Sequence, residues 1–149
     1  MVVIADNIRS AHNVGALFRT SDGAHIRHLY LCGITCTPPR TDIRKTSLGA
    51  EESVPWSHEP DAAALIDRLK GEGYQVVMLE HTTDSLHYRQ AEYQFPLCLV
   101  VGNEYHGIQD HLVPLGDMAV EIPMLGIKQS LNVSVAYGIA VYEILAKIK

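Results

Sequence analysis

The sequence is short of cysteine, of net positive charge and of long apolar runs. Its three cysteines, Cys32, Cys36 and Cys98, are too few and too scattered for a disulfide framework, so we expect reduced thiols in a cytoplasmic protein. The net charge of -5 excludes a uniformly basic surface, and nucleic-acid binding would need a local basic patch. The longest uncharged stretch, 129–142, is shorter than the ~20 residues that a membrane-spanning helix needs.

Common ligand-binding fingerprints are also missing. No GxGxxG follows a predicted strand and no GxxxxGK[ST] occurs, which excludes the usual dinucleotide and nucleoside-triphosphate loops. The closest histidine pairs, His25 with His28 and His106 with His111, have no third ligand nearby in sequence, so no metal site is expected. Residues 1–10 carry neither a basic segment nor a cleavage site, and we expect no signal peptide.

Short apolar strands alternate along the chain with amphipathic helices. We expect strands at residues 2–5, 28–34, 74–79, 97–101 and 119–124, with an edge strand at 54–56. This alternation predicts an α/β domain in which helices flank a mainly parallel sheet. The length of 149 residues favours a single domain, over residues 1–149, with one core.

Three helices are expected between and after these strands. Asn13 is the predicted N-cap of the first helix and Asp61 that of the second. The last helix, over 130–145, has Gln129 or Ser130 as its predicted cap. The inner face of the first helix is expected to carry Val14, Leu17, Phe18 and Ser21.

The last helix has almost no polar face. One apolar stripe contains Val133, Ala136, Tyr137, Ala140, Val141, Ile144 and Leu145, and the opposite side carries Val135, Gly138, Ile139 and Tyr142. A terminal helix of this kind is either buried on two sides or in contact with another subunit. The residues therefore make a homodimer through the C-terminal helix a reasonable expectation.

The fold class directs attention to particular loops. Ligands of open α/β sheets bind beyond the carboxyl ends of the strands, which here means the loops after Leu79, Val101 and Met124. The loop after Val101 reads GNEYHGI, in which Gly102 permits a sharp turn or the close approach of a ligand. A solvated turn would explain this loop as well.

Three polar side chains stand in otherwise apolar surroundings. Ser130 and Asn132 flank Leu131 at the start of the last helix, and a cap accounts for only one of them. Arg19 lies beside the apolar stripe of the first helix, where an ion pair with Asp22 would give it a structural role. Taken one at a time, these residues do not define a site.

Three motifs follow one another in the sequence. They are N-x-G-x-x-x-R-T at Asn13, Gly15, Arg19 and Thr20, then G-N-E-x-x-G at Gly102, Asn103, Glu104 and Gly107, and finally I-P-M at 122–124 with S-L-N-V-S-V-A at 130–136. With these motifs and KTSLGAEESVPW at 45–56, the chain resembles the SpoU/TrmH family of RNA ribose 2′-O-methyltransferases, within the SPOUT superfamily. The resemblance covers nearly the whole chain.

The resemblance implies properties that the residue pattern alone does not. It implies a deep trefoil knot in which the C-terminal segment threads through a loop, bound S-adenosylmethionine, and a homodimer through the C-terminal helix. The substrate would be the ribose 2′-hydroxyl of a tRNA or an rRNA. The chain resembles a minimal form without an added RNA-binding domain, and neither a metal nor a membrane is implied.

The resemblance also implies roles for individual residues. Cofactor contacts fall on Gly102, Ile122 and Leu131, with Met124 as an additional wall. The expected catalytic residues are Arg19, Asn13, Glu104, Ser130 and Asn132. Glu104 would orient Arg19 or Asn13. Arg19 of one subunit would complete the site of the other, acting either as a base or as a phosphate clamp, and the clamp avoids deprotonating an arginine.

Two other functions stay open. One is a catalytically inactive SPOUT-fold RNA-binding module, and the other is an α/β enzyme that uses a different adenosine-containing ligand. RNA would be held by a local patch in or near the proposed loops. Its candidate members are Arg9, Arg27, Arg40, Arg44, Lys45 and Lys128, of which Arg27 is expected to be an ordinary solvated charge.

Overall fold

A fully parallel sheet forms the centre of the protein. The computed structural model describes residues 1–148. Its strands are β1 (Val2–Asp6), β2 (His28–Cys32), β3 (Trp56–Glu59), β4 (Gln75–Leu79), β5 (Leu86–His87), β6 (Leu97–Val101) and β7 (Met118–Glu121). They lie in the order β3-β2-β1-β6-β4-β7-β5, and every pair is parallel. The predicted parallel sheet is confirmed.

Helices cover both faces of this sheet. They are α1 (Ala11–Gly23), α2 (Thr41–Ser47), α3 (Ala62–Gly71) and α4 (Val133–Ala146), with short 3-10 turns at Ala50–Glu52 and Val113–Leu115. Successive side chains of a strand point to opposite faces. In β1, Val3 and Ala5 therefore pack with α1 and α4, while Val2 and Ile4 pack with α3. The predicted α/β architecture is confirmed, as is the buried inner face of α1.

The start of α1 differs from the sequence prediction. Ser10, and not Asn13, is the N-cap, and its Oγ accepts a hydrogen bond of 3.2 Å from the backbone N–H of Asn13. Asn13 lies one turn inside the helix, and its side chain is therefore available for another contact. The predicted cap of α3 is confirmed, because Asp61 Oδ1 accepts the N–H of Ala64 at 3.2 Å.

The start of α4 also differs. Neither Gln129 nor Ser130 caps the helix; the N-cap is Asn132, whose Oδ1 accepts the backbone N–H of Ser134 at 2.9 Å and its hydroxyl at 2.7 Å. Asn and Asp are among the strongest N-cap residues because a short side chain reaches the free N–H groups of the first turn. The polar residue that needs another explanation is therefore Ser130.

The final helix is covered on one side only. Tyr137, Ala140, Val141 and Ile144 are buried, and Tyr137 Oη lies 2.7 Å from Ser21 Oγ of α1. On the opposite side Val135, Ile139 and Tyr142 are 51%, 37% and 53% exposed. The described chain therefore buries α4 on one side only. Within residues 1–148, none of the helices combines the length and apolarity needed to span a bilayer.

Two elements were not predicted from the sequence. Helix α2 lies between β2 and β3, where no helix was predicted, and the two-residue strand β5 pairs with β7 at the edge of the sheet. α2 packs closely on α1 at Gly15, where a Cβ atom would stand 2.0 Å from Thr46 Oγ1 and 2.2 Å from the carbonyl oxygen of Ile43. The glycine of the first motif is therefore a packing position that brings two helices together.

We expect Gly15→Ala to lower the free energy of unfolding by about 1–3 kcal/mol, because the new methyl group would push a backbone carbonyl of α2 away from α1. Urea denaturation measures the effect. Gly71→Ala is the matched control, since within the described chain no atom lies within 4 Å of its Cβ position, and it should be neutral or slightly stabilising. Equal stability of the two variants would contradict the packing role.

Candidate active site

A cavity of about 350 Å³ opens beyond the carboxyl ends of β4, β6 and β7. The loops that follow these three strands form its walls, as the fold class predicted. All four residues predicted to contact a cofactor line the cavity: Gly102, Ile122, Met124 and Leu131. The structure therefore brings the second and third motifs together around one concave space.

The GNEYHG segment after β6 forms a closed turn on one wall. The N–H of Asn103 donates to the carbonyl of Gly107 at 3.0 Å, and the N–H of Gly107 donates back at 2.9 Å. The side-chain Oδ1 of Asn103 accepts the N–H groups of Tyr105 and His106 at 2.9 and 3.0 Å. Hydrogen bonds within the turn therefore fix its backbone, while the side chains of Tyr105 and His106 project outward into solvent.

Two glycines allow this turn to lie close to its neighbours. A Cβ atom on Gly102 would stand 2.5 Å from the backbone nitrogen of Ile108. Gly107 has a φ of +70° and would bring a Cβ atom to 2.1 Å from Glu80 Oε2. That Glu80 oxygen accepts the N–H of Ile108 at 2.8 Å. The loop after β4 is thereby joined to the loop after β6.

Glu104 joins the cavity to the first motif. Its Oε1 accepts the N–H of Arg9 at 2.9 Å, and its Oε2 accepts the N–H of Ser10 at 2.8 Å and the Nδ2 group of Asn13 at 3.0 Å. Of the two partners that were expected for Glu104, the structure brings Asn13 to it and not Arg19. A carboxylate at a helix N-terminus also meets the positive end of the helix dipole.

These contacts determine the charge of Glu104. Partial burial disfavours the ionised carboxylate, but hydrogen bonds from Arg9, Asn13 and Ser10 outweigh that cost and lower the pKa of Glu104 below its ordinary value. Glu104 is therefore an anionic anchor and a poor proton donor near neutral pH.

The third motif supplies the opposite wall. Ile122, Met124 and Leu131 give it an apolar surface, and Ser130 lines the cavity beside them with its side chain exposed. Asn132 does not line the cavity, because its side chain caps α4. Of the two polar residues that flank Leu131, the structure brings Ser130 to the cavity.

Arg19 lies outside the cavity of its own chain. It is exposed on α1, and within residues 1–148 it makes no hydrogen bond or ion pair. The alternative of an ion pair with Asp22 is not observed, since Asp22 Oδ1 accepts the hydroxyl of Ser53 at 2.7 Å instead. Asn13 also lies outside the cavity lining and reaches it only through Glu104.

A polar pair at the cavity rim was missed from the sequence. His81 Nε2 lies 3.3 Å from Glu121 Oε2, and the hydroxyl of Ser85 donates to Glu121 Oε1 at 2.8 Å. Both His81 and Glu121 line the cavity. The sequence offered one signal that Glu121 belongs to the site, which is its position directly before the I-P-M motif. The sequence offered no such signal for His81.

The predicted basic patch is smaller than the sequence suggested. Arg40 makes two hydrogen bonds to Asp42, at 2.9 and 2.7 Å, and Arg44 pairs with Glu52 at 2.9 Å. These two arginines are largely neutralised by their own neighbours. Of the remaining cations, Arg9 lies beside the cavity-lining Tyr105, with its guanidinium 5.8 Å from the ring centroid, and Lys128 directly precedes the lining residue Gln129. Among residues 1–148, no three His, Cys, Asp or Glu side chains converge as a metal site would require.

Comparison with known proteins identifies the family. The model of the SpoU rRNA Methylase family matches residues 1–142. The chain belongs to this family. The relationship predicted from the three motifs, to the SpoU/TrmH RNA ribose 2′-O-methyltransferases, is therefore confirmed.

Individual SpoU relatives align along almost the whole chain. The tRNA (guanosine(18)-2′-O)-methyltransferase of Aquifex aeolicus is 34% identical over 143 residues, which are 96% of this chain and 67% of that protein. The protein of the same name from Escherichia coli K12 is 30% identical and is covered over 62% of its length. The chain thus spans about two thirds of these relatives.

Solved structures of the family share the fold. The Aquifex aeolicus TrmH/SpoU tRNA modifying enzyme superposes with a TM-score of 0.88 at 32% identity, over 98% of this chain and 74% of that one. An AdoMet-bound rRNA methyltransferase from Sinorhizobium meliloti gives a TM-score of 0.91 at 28% identity, over 99% of this chain and 56% of that one.

We expect Glu104→Gln to lower the free energy of unfolding by about 1–3 kcal/mol at pH 7, because an amide presents an N–H group where the site needs an acceptor. The folded pKa of Glu104 is depressed, so its contribution is full above the ordinary value of 4.5 and is lost as the pH falls through the folded pKa. The difference between wild type and Glu104→Gln should therefore shrink below that value in urea titrations.

Glu52→Gln serves as the control for this measurement. Its carboxylate is exposed and pairs with Arg44, a type of pair that contributes about 0–1 kcal/mol. A destabilisation by Glu104→Gln no larger than that of Glu52→Gln, or one that persisted unchanged in acid, would contradict the anchoring role.

Proposed function

We propose that this chain, as a single catalytic domain, transfers a methyl group from S-adenosylmethionine to a ribose 2′-hydroxyl in tRNA or rRNA. The observation that carries the proposal is the cavity that unites Gly102, Ile122, Met124 and Leu131 with the Glu104 anchor. The relatives of 30% identity or more that are named above act on guanosine 18 of tRNA, and this makes tRNA the first substrate to test. The expected compartment is the cytoplasm.

The cavity has features that suit this methyl donor. Ile122, Met124 and Leu131 offer apolar surfaces for the faces of an adenine ring, and Gly102 lines the cavity with no side chain between its backbone and a ligand. The Sinorhizobium meliloti relative carries AdoMet. When bound, S-adenosylmethionine supplies an electrophilic methyl group on a positive sulfonium. The protein must align the hydroxyl with that methyl and remove the hydroxyl proton.

The polar residues divide this work. Ser130 lines the cavity and positions the ribose by hydrogen bonding, while Glu104 and Asn13 hold the start of α1 against the cavity. Asn132 acts through the orientation of α4, since its side chain caps that helix. Arg19 clamps a phosphate next to the target ribose and stabilises the developing alkoxide, so that the hydroxyl proton passes to solvent water while the guanidinium stays protonated.

A homodimer through α4 accounts for the position of Arg19. In its own chain Arg19 is exposed and outside the cavity, so it reaches a site only if a second subunit presents one. The apolar side of α4 is exposed, and Leu125 and Ile127 in the loop before it are 95% and 98% exposed. This surface supports a subunit contact at α4. We further propose that the segment leading to α4 forms the trefoil knot of the SPOUT superfamily.

Binding and reaction are tested separately. Calorimetric titration with S-adenosylmethionine, ATP and NAD should detect only the first ligand. Mass spectrometry of nucleosides from RNA with and without the gene should show the loss of one 2′-O-methyl signal. Binding of neither the donor nor its demethylated product would favour the inactive RNA-binding module, and binding of ATP or NAD instead would favour a different enzyme.

We expect Leu131→Ala to raise the Kd for S-adenosylmethionine by about tenfold, because it removes apolar contact surface from the cavity wall. Calorimetry gives the Kd. Leu48→Ala is the control, since Leu48 is 65% exposed and does not line the cavity. Identical affinities of the two variants would show that the adenine ring does not bind against this wall.

We expect Arg19→Lys to lower kcat/KM for RNA by about 100-fold or more while leaving the Kd for S-adenosylmethionine unchanged, because an ammonium cannot make the bidentate contact of a guanidinium. Transfer of a labelled methyl group to RNA measures kcat/KM. Arg27→Lys is the control, because Arg27 directly precedes β2, at the amino-terminal ends of the parallel strands, whereas the cavity lies beyond their carboxyl ends. Near-normal turnover by Arg19→Lys would rule the clamp out.

A further inference from the structure

Tyr105 is the most exposed aromatic side chain at the mouth of the cavity. It lines the cavity and is 79% exposed, although a tyrosine buries much of its ring when it serves the core. Its backbone is nevertheless fixed, because its N–H donates to Asn103 Oδ1 at 2.9 Å. The preceding residue, Glu104, is anchored to the start of α1 by a hydrogen bond from the N–H of Ser10. A ring that projects into solvent from a fixed backbone is arranged to meet something outside the chain.

Arg9 gives this ring a second feature. Its guanidinium lies over the ring, 5.8 Å from the centroid, and its backbone N–H donates to Glu104 Oε1 at 2.9 Å. The two side chains therefore project from segments that the same carboxylate holds together. Arg9 covers one face of the ring and provides positive charge next to it, and the other face is available for a flat, electron-rich partner.

The chemistry of the proposed reaction supplies such a partner. A ribose hydroxyl that enters the cavity brings its nucleobase to the mouth, and in structured RNA that base must first leave its stack. Unstacking is costly, and an aromatic ring that accepts the base offsets the cost without selecting its identity. Phosphates that flank the nucleotide meet the charge of Arg9.

We infer that Tyr105, backed by Arg9, is the stacking platform for the nucleobase of the nucleotide that is methylated. This inference rests on the proposed function and adds a substrate-positioning residue to it. The three motifs do not include it, since Tyr105 fills a variable position of G-N-E-x-x-G. It acts on binding of the RNA, and the methyl donor lies deeper, against the apolar wall of the third motif.

The test compares Tyr105→Ala, Tyr105→Phe and wild type, with methyl-labelled S-adenosylmethionine and the tRNA and rRNA of the source organism isolated after deletion of the gene. Tyr105→Ala should raise the KM for RNA by about 10- to 100-fold, with kcat within about twofold of wild type. Tyr105→Phe, which keeps the ring, should restore the wild-type KM. The Kd for S-adenosylmethionine and the unfolding midpoint should be the same in all three proteins.

A spectroscopic measurement detects the stack itself. Tyr105→Trp places an indole at this position, and RNA should quench its fluorescence in the presence of the demethylated donor. Wild type, whose one tryptophan is Trp56 against Phe18 in the core, is the control and should show little change. Absence of added quenching in Tyr105→Trp would overturn the inference.

The remaining outcomes separate this inference from the proposed function. A wild-type KM in Tyr105→Ala would overturn the inference alone. A weakened Kd for S-adenosylmethionine would make Tyr105 part of the cofactor wall, and a smaller species in sedimentation would make it part of a subunit interface; either result overturns the inference. A wild-type protein that neither binds the donor nor methylates RNA would overturn the proposed function and the inference with it.

Discussion

The carboxylate of Glu104 connects the two parts of the chain from which the candidate site is built. It accepts hydrogen bonds from Arg9, Ser10 and Asn13, which are more than 90 residues away in sequence. Ordering loop backbone costs about 1–2 kcal/mol per residue, and charge-assisted hydrogen bonds to a helix terminus offset part of that cost. Through this one side chain, the cavity wall after β6 and the helix that bears Arg19 keep a fixed relation.

The same connection explains why the site can stand on loops. The loops after β4, β6 and β7 must leave the sheet at neighbouring positions and still keep their backbone groups paired. Glu80 pairs the N–H of Ile108, and Asn103 donates its amide to the carbonyl of Asn7 at 2.8 Å. The loop after β6 thus uses a side chain of the loop after β4, and the loop after β1 uses a side chain of the loop after β6. Gly102 and Gly107 provide the close approach on which this exchange depends.

The apolar strands and the inner face of α1 could be predicted from the sequence, because buried positions repeat there in a regular pattern of apolar residues. Helix α2 could not, since it is a short polar segment whose position depends on contact with Gly15 of α1. Strand β5 is two residues long and exists only through its pairing with β7. The N-caps predicted for α1 and α4 were wrong. Ser10, Asn13, Ser130 and Asn132 can all cap a helix, and tertiary contacts decide which of them does so.

Residues of the candidate site were predicted unevenly for the same reason. Gly102, Ile122, Met124 and Leu131 come together because carboxyl ends of parallel strands share one edge of the sheet. Arg19 and Asn132 do not line the cavity: Arg19 is exposed on α1, and the side chain of Asn132 caps α4.

The charge pattern limits how RNA could be held. Arg40 and Arg44 are paired internally on a chain of net charge -5, so general attraction for RNA is weak. Under the proposed function, RNA recognition would depend on cations near the cavity, such as Arg9, and on the shape of the RNA.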